Sequence, residues 1–171
     1  MHFEERACEE IAGLLDGLGD DGASARPAGF TGIITARTSL DPVEAVSRIA
    51  AMIRDEPWSV RYCLRIIPVQ RAVRATEEAI TAEAGYVAGM IPEGCTYRIR
   101  VKRRGSKVST TALIRGLASG IPRGVDLERP DRDVLVEIIG GTAGISVLEG
   151  GALSVHDEKR RASEEGGALG Q

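Results

Sequence analysis

The chain has 171 residues, 43% hydrophobic and 27% charged, enough to bury a core in one large domain or two small ones. No apolar run approaches the roughly 18 residues that cross a bilayer, and the opening residues Met1–Arg6 contain neither a basic nor an apolar leader pattern, so a cytoplasmic protein is expected. The net charge of −3 hides a division along the chain: Thr96 to Arg123 holds eight basic residues and no acidic one, which leaves 14 basic against all 25 acidic residues elsewhere, a balance of −11. A block of one sign inside an acidic protein is a local electrostatic device that steers anionic partners.

Residues 3 to 18 carry Ala7, Ile11, Leu14, Leu15 and Leu18 at helical spacing with Glu4, Glu5, Glu9, Glu10 and Asp16 between them, which predicts an amphipathic helix ended by Gly19. Asp20 to Gly29 mixes Gly, Asp, Ser and Pro and reads as a loop. Phe30 to Ala36 is rich in β-branched residues and reads as a strand. Asp41 before Pro42 is an N-cap followed by proline in the first turn, so a helix is expected through Val46, Ile49, Ala50 and Ile53 until Pro57 stops it. Val60 to Ile67 is the next expected strand, closed by Pro68. The first 68 residues thus read helix, strand, helix, strand.

Thr76 caps a further helix with Glu77 and Glu78 in its first turn, running to about Met90. Pro92-Glu93-Gly94 is a turn, and Thr96 to Lys102 alternates as a strand. Ser109 or Thr110 can cap a helix through Leu113, Ile114, Leu117 and Ile121. Pro130-Asp131 turns the chain into the strand Val134–Ile139, and Gly140-Gly141 makes a hairpin turn into Gly144–Leu148. After Glu149 the apolar content collapses. Residues 150–171 are therefore expected to be a mobile tail, with at most a short helix at 157 to 164.

The most informative segment is Tyr97-Arg98-Ile99-Arg100-Val101-Lys102. Strand alternation sends Tyr97, Ile99 and Val101 to one face and Arg98, Arg100 and Lys102 to the other. Arg103, Arg104 and Lys107 continue the charge towards Ser109, Thr110 and Thr111 at a helix start, where free backbone N–H groups suit a phosphate, and Arg115 follows in that helix. Charge can also defend an exposed strand edge against aggregation; that use predicts mixed signs, whereas this segment carries one. Arg61, Arg65, Arg71 and Arg74 form a second basic set, with Arg61 and Arg65 on the expected strand Val60–Ile67, open equally to RNA contact and to pairing with Asp41, Asp55 or Glu56.

Signals of catalysis are missing from the sequence: it contains no GxxxxGK[ST] loop, no GxGxxG after a strand and no HExxH. Gly140 to Gly144 joins two strands and reads as a tight turn. Asp126, Glu128, Asp131 and Asp133 lack the spacing of a calcium loop and read as a solvated acidic turn. Cys8, Cys63 and Cys95 are far apart and have only His2 and His156 to join them, which argues against a disulfide framework and a zinc site alike; they read as small apolar residues.

The order of elements after Thr76, together with Tyr97–Arg104, Ser109-Thr110-Thr111, Val125-Asp126-Leu127, Pro130-Asp131, Val134–Gly140 and Gly144–Val147, resembles a THUMP domain. Phe30–Ile34, Ser39–Pro42 and Arg61–Pro68 are similar to the ferredoxin-like domain that precedes THUMP in such proteins. The resemblance implies an α+β protein with a truncated ferredoxin-like domain at 1–70, a THUMP domain at 71–149 and a disordered tail at 150–171. It is greatest to the stand-alone archaeal and eukaryotic THUMP proteins that assist tRNA cytidine acetyltransferase. That group implies a non-catalytic tRNA-binding adaptor, without a cofactor of its own, that helps form N4-acetylcytidine in the D-arm; Arg98, Arg100, Lys102, Arg103, Arg104, Lys107, Ser109, Thr110, Arg115, Arg61 and Arg65 would hold the RNA. The alternative is a THUMP subunit of another tRNA-modifying enzyme, a methyltransferase or a thiolation enzyme. Oligomeric state is left open. The group pattern also has an apolar strand before the first helix, so either that strand is lost here or the natural chain starts upstream of Met1.

Overall fold

The computed structural model describes residues 3–168 and divides the chain into two compact α+β units. One takes the chain up to Pro68 and regains it from Ala152; the other is Val69–Gly151. Among the described residues no helix is long and apolar enough to cross a membrane.

The first unit opens with α1 (Phe3–Gly17), whose buried face is Ala7, Ile11, Leu14 and Leu15. It continues through β1 (Ser24–Pro27) and β2 (Ile34–Arg37) to α2 (Pro42–Asp55), then β3 (Arg65–Ile66). The Asp41 carboxylate caps α2 by accepting from Val43 N and Glu44 N, as the Asp-Pro pair predicts. Two expectations change. The loop expected at Asp20–Gly29 contains β1, which pairs antiparallel with β2 from Ser24↔Arg37 to Pro27↔Ile34. Its turn uses Gly29 and Gly32 at positive φ, so Phe30 falls in the turn rather than in the strand. The strand expected over Val60–Ile67 shrinks to two residues, because the Glu10 carboxylate occupies the backbone N–H groups of Arg61, Tyr62 and Cys63.

The mobile tail is a third correction as far as Ala168; residues 169–171 lie outside the described residues. Here β9 (Leu153–Ser154) pairs antiparallel with β3, and α6 (Val155–Ala168) packs on α2. Hydropathy underrates this helix because its anchors are polar. The buried Glu158 carboxylate takes Arg54 at 2.7 Å and Arg161 at 2.8 Å, Lys159 Nζ donates to Val60 O at 2.5 Å, and Val155 is the one buried apolar anchor among the described residues. Cys63 shares this core; burial first, then the neighbouring Glu10 carboxylate, pushes its thiol up to about 12, so it behaves as an inert apolar group.

The second unit is a five-stranded sheet with helices on one face. Its elements are β4 (Arg71–Arg74), α3 (Glu77–Thr81), α4 (Ala84–Met90), β5 (Thr96–Arg104), α5 (Thr110–Ser119), β6 (Gly124–Val125), β7 (Arg132–Ile139) and β8 (Thr142–Leu148). The strand order is β4-β8-β7-β5-β6, with β5 parallel to β7 and β6, and the other pairs antiparallel. The single helix expected from Thr76 is interrupted at Ala82–Glu83. Ile80, Val87, Leu113 and Leu117 pack from the helices onto Tyr97, Val134, Val136, Ile138, Ile145 and their neighbours.

Two glycines set the approach of α5 to α3 and α4. A Cβ built at Gly116 would stand 2.4 Å from Thr81 Cγ2, and one at Gly120 would stand 2.6 Å from Ala84 Cβ. Gly13 in α1 has nothing within 4 Å of the same position. Alanine has the better helix propensity by about 1 kcal/mol, so the two sites should respond oppositely. Gly13→Ala is expected to raise stability by up to about 1 kcal/mol, read as a higher urea midpoint. Gly116→Ala is expected to lower stability by about 1–3 kcal/mol through overpacking. A stabilising Gly116→Ala in equilibrium unfolding would show that α5 does not pack this closely.

Candidate nucleic-acid interface

β5 supplies the site. Tyr97, Ile99 and Val101 join the core under the helices, and Arg98, Arg100, Lys102 and Arg104 point to the opposite face of the sheet. Parallel pairing from Tyr97↔Arg132 to Arg104↔Ile139 brings Asp133 beside Arg98 and Glu137 beside Lys102. The single sign read along β5 is thus offset by two carboxylates from the adjacent strand, which inspection of one strand cannot show.

The four cations divide by what they hold. Arg98 is 22% exposed and committed: Nε and Nη2 donate to the Asp133 carboxylate at 2.9 and 3.3 Å, and Nη1 donates to Leu127 O at 2.9 Å. A guanidinium with three such bonds orders the turn after β6 and is not available to a ligand. Arg100 approaches Asp133 only at 3.9 Å and Arg104 approaches Glu137 only at 4.0 Å, both about half exposed. Exposed pairs at that separation hold little energy, so these guanidinium groups can exchange their carboxylates for phosphate. Lys102 is exposed and forms no ion pair among the described residues.

Beyond Tyr97, β5 has no partner among the described residues on its side away from β7, because β6 pairs only with Thr96 and Tyr97. The charges therefore also guard an open edge, a use compatible with ligand binding. At its end, Arg103 Nη1 donates to Ser106 O at 3.0 Å and shapes the loop, Gly105 takes a positive φ, and Lys107 is exposed. Ser109 is the N-cap of α5, its Oγ accepting from Ala112 N at 3.3 Å. Thr110 begins the helix, and Arg115 is exposed further along it. Arg123, in the same basic block, is spent on Ile91 O and Pro122 O. Arg61 and Arg65 lie in the first unit: Arg61 Nε donates to Trp58 O, and neither pairs with Asp41, Asp55 or Glu56 among the described residues.

The acidic run before β7 is structural. Asp126 Oδ1 accepts from Glu128 N and Arg129 N at 2.9 Å each, Asp131 Oδ2 accepts from Thr96 N at 2.7 Å and Thr96 Oγ1 at 2.8 Å, and Asp133 holds Arg98. No cluster of possible metal ligands occurs among the described residues.

The second unit is an α+β module: a helix-backed sheet with exposed cations on its far face and strand edge. The particular module is a THUMP domain: residues 74–148 match that family. No curated protein matches the chain. Among solved structures it is similar to PH1313 from Pyrococcus horikoshii Ot3, with 18% identity, a TM-score of 0.61 and coverage of 86% of this chain and 48% of that one. It is also similar to TrmN from Thermus thermophilus, at 20% identity and a TM-score of 0.42 over 57% of this chain and 33% of that one. A third likeness is to the THUMP domain of THUMP domain-containing protein 1, at 28% identity and a TM-score of 0.38 over 42% of this chain and 83% of that domain. The PH1313 likeness shows a shared fold, and this chain spans about half the length of that protein.

The Asp131–Thr96 contact ties the start of β5 to the start of β7 and makes stability depend on pH. Hydrogen bonds from Thr96 N, then from its hydroxyl, hold the Asp131 carboxyl below the usual carboxylate range. A depressed folded pKa gives stability that is present above the unfolded value of about 3.9 and is lost as pH falls through the folded value. Asp131→Ala should therefore lower the urea midpoint at pH 7, and its difference from the wild type should shrink as pH falls below about 4. A difference that stays constant down to acid unfolding would exclude the charged hydrogen bond as its source.

Proposed function

We propose that the protein is a non-catalytic adaptor that binds tRNA and presents it to a cytidine acetyltransferase for N4-acetylcytidine formation in the D-arm. The observation that carries the RNA half is a THUMP unit with Arg100, Lys102 and Arg104 exposed along one strand face. Guanidinium and ammonium groups in a row match backbone phosphates and read shape more than base sequence. The adaptor half is supported by the side-chain chemistry of the site. Arginine stays protonated at any working pH, and the Ser109 hydroxyl, already engaged in capping α5, is suited to holding phosphate rather than to moving protons. Acetyl-CoA and catalysis are assigned to the partner enzyme.

Purified protein should bind tRNA with an affinity that falls steeply with salt, since counterion release drives phosphate contacts. Replacing Arg100, Lys102 and Arg104 together with Ala should weaken binding to different tRNAs about equally and reduce the salt slope by roughly two to three. Fluorescence anisotropy at several ionic strengths checks both; losses that depend on tRNA sequence would reassign these residues to base contacts.

Nucleoside profiling of tRNA from cells lacking the protein tests the adaptor role. Loss of N4-acetylcytidine alone is the expected result, and acetyl-CoA with the purified protein should yield no acetylated tRNA. Loss of a methylated or thiolated nucleoside instead would favour a subunit of a different modifying enzyme.

A further inference from the structure

Aromatic side chains are scarce here, at two Phe, one Trp and three Tyr. In the second unit Tyr97 is core and Tyr86 lies under the Arg71 guanidinium, 4.7 Å from its ring centroid. In the first unit, by contrast, Phe3, Trp58 and Tyr62 are 57%, 65% and 41% exposed. Fully burying a large apolar side chain is worth about 1.5–3 kcal/mol, so leaving half of a small set of rings in water calls for a use outside the core.

The turn that carries Trp58 and Tyr62 is clamped. Below it, Glu10 accepts from Arg61 N at 2.5 Å, Tyr62 N at 3.1 Å and Cys63 N at 2.8 Å, and Lys159 Nζ holds Val60 O at 2.5 Å. Val60 is wholly buried between the exposed neighbours. The backbone is thus preorganised while Trp58 and Tyr62 face outward, Tyr62 with its ring centroid 6.3 Å from that of Phe3. Arg61 and Arg65 are exposed on the same segment and form no ion pair among the described residues, and no Asp or Glu occurs from Pro57 to Thr76.

We propose that the Trp58–Arg65 turn is a stacking platform for unpaired RNA nucleotides, with bases on Trp58 and Tyr62 and the flanking phosphates on Arg61 and Arg65. This rests on the RNA-binding reading and adds the class of nucleotide recognised. Rings interleaved with guanidinium groups are how single strands are held without sequence preference. Trp, Tyr and Arg also dominate protein-docking hot spots; what favours RNA is that the two cations lack carboxylate partners and that Leu64 is the one exposed aliphatic side chain in the turn.

Trp58 is the sole tryptophan, so its emission reports on the platform directly in the full chain. Titration with single-stranded oligouridylate and oligoadenylate of about eight nucleotides, and with tRNA, should quench it saturably. Trp58→Ala and Tyr62→Ala should each raise the Kd for the oligonucleotides about five-fold or more, whereas Trp58→Phe keeps a ring and most of the affinity. Both positions are exposed, and circular dichroism of the variants verifies the fold. If labelled tRNA binds wild type and Trp58→Ala equally, with no change in Trp58 emission, the platform is overturned while the tRNA-binding reading stands, and the patch falls to a protein partner. If neither tRNA nor the oligonucleotides bind, both readings fail together.

Discussion

The parallel pairing of β5 with β7 decides what the THUMP unit presents to its surroundings. Because residues in register share a face, Ile99 with Val134 and Val101 with Val136 commit that face to the helices. The same register leaves Arg98, Arg100, Lys102 and Arg104 on the opposite face with no choice of position. A slip of one residue would bury those charges and expose the apolar set, so the core specifies the cation row as firmly as it specifies itself. Asp133 adds a second tie: by taking Arg98 bidentately next to the Asp131–Thr96 contact, it fastens both strands at their start. Arg98 is thereby committed to the fold, while Arg100, Lys102 and Arg104 stay exposed.

Close packing carries this order to the loop after β5. Gly116 and Gly120 let α5 lie directly on Thr81 and Ala84, and a helix held that tightly fixes where its first residue stands. Ser109 satisfies one of the free N–H groups there while Thr110 and Thr111 begin the helix. The cap is thus a stop for the loop that starts at Gly105, and Lys107 is carried between two fixed ends.

Much of this was legible in the sequence because the signals were local. The alternation of Tyr97–Lys102, the Ser109 cap, the Asp41-Pro42 start of α2 and the Gly140-Gly141 turn each depend on neighbours a few residues away. What was hidden depends on distant partners. Asp133 reads as part of an acidic turn until the sheet puts it beside Arg98, 35 residues earlier. β1 sits among Gly, Ser and Pro, and its pairing with β2 rather than its propensity makes it a strand. α6 lacks an apolar stripe, and its docking rests on Glu158 meeting Arg54, a separation of 104 residues that no periodicity exposes. The basic block is plain in the sequence, but its division into committed and exposed cations required the register.

If both proposals hold, the two units ask different things of an RNA. Contacts from Arg100, Lys102 and Arg104 depend on phosphate density and fade as counterions compete, with screening over about 8 Å at physiological ionic strength. Rings on a clamped turn depend on a base being free to leave its helix, and stacking is far less sensitive to salt. A duplex offers phosphates but keeps its bases paired; a loop or end offers both. Selectivity for a folded RNA with a duplex and an unpaired segment can therefore arise without reading any base edge. The cation row alone would bind duplexes indiscriminately, and the platform alone would hold any single strand. On the proposed reading, an RNA that offers both features meets the requirements of each unit, whereas a plain duplex or a plain single strand meets those of only one.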